Sequence, residues 1–398
     1  MNFWQQLPKP FFAVAPMADV TDAAFRRMIA KYSNDGNVTK RQNFLSQLIP
    51  SSLRNSALFS LKTTAATKNS AAFVTWTEFV SADGLVRAPE EGKQKLLADL
   101  IYSEEERPIV AQLFSSVPEH MEYAANLCRE LGFDGVDINM GCPDRSIEKQ
   151  GCGAGMIKTP EAAVEIIRAA KRGARMGEQD GIPVSVKTRL GYYEDEVETW
   201  LPILLKERPA ALTVHCRTRQ EMSKVPARWE RLKRVSELRD ELSPETVLIG
   251  NGDVLSPEDG LAKSTVNNAD GIMVGRALFG NPWFFHPTKR LPHKLTALPT
   301  SGVNREEIIE LVGEGQGGGE AAAHEYISLA ERLRVLVEHT RLFTELLPHK
   351  SFNIMKKHYK GYVNGFPNAA NLRKDLMENA VTPDEVEVIV GRFLANLQ

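Results

Sequence analysis

Short apolar runs alternate with amphipathic stretches over residues 11–280 of the chain. The runs are Phe11–Pro16, Phe73–Phe79, Pro108–Phe114, Asp134–Asn139, Pro183–Thr188, Ala210–His215, Thr246–Asn251 and Asp270–Val274, eight in all. They are nearly continuous and rich in β-branched residues, as strands covered on both faces must be. Between most of them lie helical patterns: residues 22–32, 118–131, 160–172, 196–207 and 226–242. Several open with Pro, Asp or Glu in the first turn, where a helix tolerates a missing N–H and favours negative charge. Eight β-α repeats predict a (β/α)8 barrel, with a doubly wound sheet as the other architecture that alternates strand and helix. The polar residues favour the barrel. Pro16-Met17, Glu78, Gln112, Asn139, Lys187, His215, Asn251-Gly252-Asp253 and Gly275-Arg276 sit at the C-terminal ends of runs. In a closed barrel all eight ends meet on one face, where active sites form.

Two stretches break the rhythm. Residues 37–71 carry Lys40, Arg41, Arg54, Lys62 and Lys68 but no acid. So long a stretch between two elements of a compact domain reads as an inserted surface segment, expected to be mobile, or as a retained intron. GEGQGGGE at 313–320 reads as a flexible linker. After it the chain turns all-helical, with patterns at 324–347, 371–380 and 383–397, the last opening on Thr382-Pro383. The expected division is a barrel over 1–286 with 37–71 inserted, a linker over 287–321, and a small helical domain over 322–398.

The chain has 398 residues, 42% of them hydrophobic and 25% charged, with a formal net charge of -2. That is ample for a large core and excludes a disulfide scaffold or a wholly disordered chain. It also excludes a polycation, so any nucleic-acid surface must be a local patch. No apolar run nears the roughly 20 residues that span a bilayer, and the N-terminus lacks the charged-then-apolar layout of a secretory signal. The four cysteines form no C-x-x-C pair. No metal site is expected, and a reducing, cytoplasmic setting fits.

Candidate chemistry concentrates at the strand ends. Cys142 lies between Gly141 and Pro143, directly after the fourth run. That placement holds a thiol at the barrel mouth, still protonated at neutral pH and able to act as a general acid or a nucleophile. Cys128, Cys152 and Cys216 read as small buried hydrophobes. Lys187 on an inner strand end needs an anion, either a bound one or the carboxylate of Glu78 or Asp137. Gly252 and Gly275 with Arg276 after the last two runs suit a phosphate. Between His339 and Lys374 stand seven cations (Arg341, Lys350, Lys356, Lys357, Lys360, Arg373, Lys374) and one acid, Glu345. Three histidines and the aromatics Phe343, Phe352, Tyr359 and Tyr362 are interleaved, which suggests a track for an RNA backbone.

Taken in order, APMADVTDAAFRR, TEFVSADGL, AQLF, DINMGCP, GCGAGMIK, VKTRLGY, TVHCRTR, IGNGDV and MVGRALFGNPW resemble the motif set of the tRNA-dihydrouridine synthases. The resemblance implies an FMN-binding barrel, NADPH (or NADH) as reductant, and a helical domain that binds tRNA. By that likeness Pro16, Met17 and Ala18 would line the flavin ring. Gln112, Lys187 and His215 would contact it, and Asn251, Gly252, Asp253, Gly275 and Arg276 would hold its phosphate. Asn139, Arg189 and Arg217 would address the target uridine, and Cys142 would protonate it. Arg341, Lys350, Lys356, Lys357 and Lys360 would contact tRNA. The expected partner is tRNA, with no membrane, and the expected state is a monomer. Two other readings are a dihydroorotate-type dehydrogenase acting on a free pyrimidine, and a non-catalytic RNA-binding protein on the same fold.

Overall fold

The computed structural model describes residues 2–33, 73–175, 181–292 and 325–397. The expected insertion at 37–71 and the glycine run at 313–320 lie outside the described residues. The chain forms two compact units, one holding residues 2–27 and 73–277, the other 28–33 and 278–397.

The first unit is a closed parallel barrel whose strands pair in chain order, β1 returning to β8. The strands are β1 (Phe11–Val14), β2 (Phe73–Ser81), β3 (Ile109–Phe114), β4 (Gly135–Asn139), β5 (Val184–Arg189), β6 (Ala211–His215), β7 (Val247–Asn251) and β8 (Gly271–Val274). All eight runs read from the sequence are strands, and the barrel displaces the open sheet. Its helices are α1 (Phe3–Gln6), α2 (Ala23–Ser33), α3 (Ala82–Arg87), α4 (Glu90–Ala98), α5 (Pro118–Glu130), α6 (Arg145–Glu148), α7 (Pro160–Ala174), α8 (Val197–Lys206), α9 (Arg231–Leu242) and α10 (Pro257–Val266). Proline opens α5, α7 and α10, and the Ser256 side chain caps α10 by accepting from the Asp259 N–H. The pattern at 226–242 yields helix only from Arg231. Ahead of it, the Ala227 N–H is held by the Asp253 carboxylate and the Trp229 indole by the Gly252 carbonyl.

One end of the barrel interior is filled. Trp4 packs with Phe11, Val74, Trp76, Val110, Ala211, Val247, Ile249 and Met273, its ring 5.5 Å from that of Trp76. The apolar side chains stop at this layer, and the polar ones begin at the C-terminal strand ends.

The second unit contains α11 (Leu329–Leu346), α12 (Met355–Tyr362), α13 (Ala369–Asn379) and α14 (Pro383–Ala395). Thr382 and Glu385 form the reciprocal cap that its Thr-Pro start implied. The helix expected from residue 324 begins at Leu329 behind the Ser328 cap. Before it, Glu325–Tyr326 pairs with Lys289–Arg290 as a two-residue ladder, β10 on β9. Residues 278–286, read with the barrel, pack in this unit. Ser33 Oγ donates to the Pro282 carbonyl at 2.7 Å, and Gly280 (φ +66°) lies so close to Gly361 that a Cβ would fall 2.1 Å from its carbonyl carbon.

Candidate active site

The loop after β4 is pinned at every peptide. Met140 N–H donates to the Lys187 carbonyl at 2.8 Å. The N–H groups of Gly141 and Cys142 both donate to Asn139 Oδ1, at 3.1 and 2.9 Å. Arg189 Nε donates to the Gly141 carbonyl at 2.7 Å, and Ala154 N–H donates to that of Cys142 at 2.9 Å. Arg219 Nη2 reaches the Pro143 carbonyl at 3.1 Å while pairing with Glu148 at 2.5 Å. Gly153 (φ +58°) belongs to this construction, since a Cβ there would stand 2.7 Å from the Cys142 carbonyl. The Cys142 side chain is therefore fixed. It packs beside Phe79, Phe114, Ile147 and Cys152 and lines a cavity of about 550 Å³ with Pro143, Asp144, Arg145, Arg219 and Met222. Burial pushes its thiol pKa up. A hydrogen bond from the Asp144 backbone opposes this, the Asp144 charge adds to it, and Arg189 and Lys187 lower the pKa further. The net effect keeps the thiol protonated at neutral pH. The other cysteines are buried and unpaired, with thiols raised by burial to about 12 (Cys128), 11 (Cys152) and 12 (Cys216).

Beside this loop, Gln112, Asn139, Lys187, His215 and Asn251 come together across β3 to β7, as their strand-end positions required. Lys187 makes no ion pair among the described residues. Its Nζ faces Asn251 Oδ1 at 3.4 Å, while the Asn251 amide is oriented by donation to the Met273 carbonyl at 2.8 Å. The two carboxylates considered as its partners are engaged elsewhere: Asp137 by Gln112 and Ser185, Glu78 by the Asp19 N–H. Burial, helped by the Arg189 charge, lowers the Lys187 pKa from 10.5 to about 8. His215 is held neutral, well below its ordinary value, first by burial and then by Arg189, Lys187, Arg217 and Arg276 around it. Lys187, Arg189, Arg217 and Arg276 thus surround His215 with positive charge.

Asp253 organises its far wall. At φ +48°, its carboxylate accepts from Arg217 Nη2, from the Ala227 N–H at 2.9 Å and from Arg276 Nη2 at 2.6 Å. Arg217 is 2% exposed, and its other nitrogens go to the Val225 carbonyl at 2.6 Å and His215 Nε2 at 3.2 Å. A Cβ on Gly252 (φ +129°) would lie 2.7 Å from that of Ala227. On Gly275 it would meet Met17 Sδ at 3.5 Å and Ala15 Cβ at 3.6 Å, an ordinary packing contact. Met17 itself is fixed by the Thr21 hydroxyl, which accepts from its N–H at 2.8 Å.

With this geometry in view, the comparisons decide the family. The family model described as dihydrouridine synthase (Dus) matches residues 13–397. The chain belongs to the dihydrouridine synthase family. It is 32% identical over 399 residues to a protein named probable tRNA-dihydrouridine synthase from Staphylococcus aureus strain COL, covering 100% of this chain and 97% of the relative. It is 33% identical over 393 residues to probable tRNA-dihydrouridine synthase 2 of Bacillus subtilis strain 168, covering 98% and 96%.

Within this family member, several expected site residues stand differently from their expected use. Asn139 and Arg189, expected to touch the target base, direct most of their polar atoms at the Cys142 loop and its neighbours. Arg189 also donates to the carbonyls of Thr218 (3.1 Å) and Met222 (3.3 Å). Arg217 holds Asp253 and His215. In the helical unit, Arg341 pairs with Asp384 (2.8 Å) and Glu387 of α14, and Lys356 donates to the Met377 carbonyl at 2.8 Å. Lys350 is half-buried, and Lys357 and Lys360 are exposed. Of the interleaved rings, Phe343, Tyr359, Tyr362, His339 and His358 are buried, the two histidine rings 4.6 Å apart, and cannot stack on bases, while Phe352 and His349 are half-buried. Sequence reasoning missed Arg145 and Met222, which line the cavity beside Cys142. The one available signal for Arg145 was its place three residues past the cysteine. Among the described residues no group of side chains could hold a metal, and no helix is long and apolar enough to cross a membrane.

Proposed function

We propose that the protein reduces the C5=C6 bond of a uridine in tRNA, with FMN as its cofactor and NADPH as reductant, in the cytoplasm. The observation that carries this reading is the Cys142 thiol on its pinned loop at the cavity, beside the Lys187 and Arg189 cations, in a chain of this family.

The donor set fits FMN. The Gly252–Arg276 wall offers the exposed Arg276 guanidinium, oriented by Asp253, for a phosphate. Lys187 lacks a carboxylate partner and supplies positive charge where a reduced flavin would carry negative charge. Gln112 and His215 present polar edges between them, and Pro16, Met17 and Ala18 lie beside Gly275. FMN, once bound and reduced, supplies a hydride for C6 of the uracil. Cys142 holds the proton that C5 requires and delivers it, and its elevated pKa keeps that proton in place until then. The uridine must leave its stack to reach this depth. The cavity lined by Cys142, Arg145 and Met222 gives it room, with Arg145 exposed at the rim for the RNA backbone. In the helical unit, Lys357 and Lys360 are the exposed cations of the proposed tRNA track, joined by Lys350. Lys356 and Arg341 are partly committed within the unit.

Lys187 makes a pH prediction. Its folded pKa lies below its unfolded value, so between pH about 8 and 10.5 the unfolded chain holds the extra proton, and stability without an anion rises with pH. Anion binding runs the other way and weakens once Lys187 is neutral. Affinity for reduced FMN, followed anaerobically through the midpoint potential of the bound flavin, should fall above pH 8. Lys187→Met should weaken binding at pH 7 about tenfold or more, the loss of one charge-assisted bond, and flatten the pH profile. An unaltered profile in that variant would remove Lys187 from the anion site.

The test of function is anaerobic: the FMN-loaded, NADPH-reduced protein is mixed with unmodified tRNA and flavin reoxidation is followed. Reoxidation with dihydrouridine appearing in the tRNA is expected. A flavin that stays reduced with tRNA but is reoxidised by a free pyrimidine would replace this reading with that of a small-molecule dehydrogenase. A protein that binds tRNA but no flavin would be an RNA-binding relic of the fold.

A further inference from the structure

Asp137 is the least accessible carboxylate of the barrel mouth, with no exposed surface, and the chemistry above gives it no part. It sits one layer below the strand ends, on β4. Ser185 Oγ donates to its Oδ1 at 2.7 Å and Gln112 Nε2 to its Oδ2 at 2.6 Å. Gln112 Oε1 in turn accepts from Asn139 Nδ2 at 3.1 Å, and Asn139 Oδ1 accepts from the N–H groups of Gly141 and Cys142. This is one directed chain: backbone N–H to Asn139, Asn139 to Gln112, Gln112 to Asp137.

Its direction is fixed from both ends. Backbone N–H groups only donate, so Asn139 must turn its oxygen toward the loop. Its NH2 then faces Gln112 and demands an oxygen there. Gln112 is left pointing its own NH2 inward, where only an acceptor will do. An ionised carboxylate accepts and never donates, so Asp137 is the acceptor that completes the chain. A buried amide without it would leave its NH2 unsatisfied, which is costly enough to favour rotation.

We propose that Asp137 is a positioning residue that sets which end of the Gln112 and Asn139 amides faces the site, and thereby holds the Cys142 loop in register. The placement of the loop rests only on geometry. Its relevance to catalysis rests on the proposed function.

The two can fail separately, because loop position is read without cofactor or RNA. Cys142 is the only cysteine among the four with an accessible surface, so its alkylation by iodoacetamide, resolved by peptide mass spectrometry, reports how firmly the loop is held. Cys142→Ala serves as the blank. Asp137→Leu removes the acceptor and should raise the alkylation rate of Cys142 about fivefold or more. Asp137→Asn should stay within about twofold of wild type. Its Oδ1 can still accept from Gln112, while its NH2 donates to Ser185, whose hydroxyl turns to the Val136 carbonyl already 3.3 Å away. A merely structural residue would show no such split between Asn and Leu. Asp137→Ala takes the place of Asp137→Leu if the larger side chain prevents folding. Equal rates in folded wild type and Leu (or Ala) protein overturn the proposal, as do equal rates in the Asn and Leu variants. If neither apolar variant folds, Asp137 is a core structural group and the positioning role is withdrawn. Failure of the wild type to reduce tRNA would instead remove the proposed function and leave the alkylation result standing.

Discussion

Cys142→Ala is expected to lower the single-turnover yield of dihydrouridine about 10²–10⁴-fold, the usual worth of a positioned general acid, while tRNA still binds. The size of the effect follows from the absence of a substitute. Arg189 and Arg219, which bond the loop, are engaged with carbonyls and with Glu148, a guanidinium does not give up its proton near neutral pH, and the Lys187 ammonium, the other charge acting on the thiol, is turned to Asn251 Oδ1. Asp144 is exposed and its pKa is lowered by the Ser146 hydroxyl and N–H, so at neutral pH it has no proton to give. Water could enter only through the cavity and would lack the fixed orientation of the thiol. Burial raises the thiol pKa, so the wild-type rate should stay flat through neutral pH and fall only in the alkaline range. Rapid-quench analysis of the tRNA from the reduced, FMN-loaded variant measures this directly. Product at the wild-type rate would take the proton donor's role from Cys142.

The barrel was legible because its evidence is periodic and local. Eight apolar runs of strand length, with polar residues at or near their C-terminal ends, leave little freedom of topology, and every one became a strand. The gathering of Gln112, Asn139, Lys187, His215 and Asn251 followed from the same pattern. What those side chains do there was less legible, because polar commitments are made across the fold. Arg217 and Arg276 read as cations available to a substrate, yet both share Asp253, and its part in orienting them needs the β6–α9 loop folded against β7. Arg341 read as a member of a basic window. Its partners Asp384 and Glu387 lie 43 and 46 residues further on, beyond any window of local charge. The buried rings could have been found. Met355, Tyr359 and Tyr362 recur at helical spacing on α12, the mark of an inward face, and they are buried there.

Arg26→Met is expected to cost about 3–5 kcal/mol, the usual penalty for stranding one partner of a buried ion pair. Arg26 and Glu106 both have side chains with no exposed surface. Arg26 Nε donates to Glu106 Oε2 at 2.6 Å, Nη1 to the Thr21 carbonyl at 2.8 Å and Nη2 to the Ile101 carbonyl at 2.6 Å. Removing the guanidinium leaves three acceptors behind, with only Arg27 at 3.4 Å and Ser103 beside the carboxylate. The double variant Arg26→Met/Glu106→Met removes both charges and should recover part of the loss, a positive coupling that urea denaturation of the four proteins in the cycle measures. A double variant whose loss equals the sum of the two single losses would show that the pair is not coupled. The consequence reaches the site. Thr21, whose carbonyl Arg26 holds, caps the turn at Met17 through its hydroxyl, and Met17 lies against Gly275. In the fraction of Arg26→Met that folds at low temperature, FMN should therefore dissociate faster than from wild type, while Cys142 alkylation, governed by a different strand, stays unchanged.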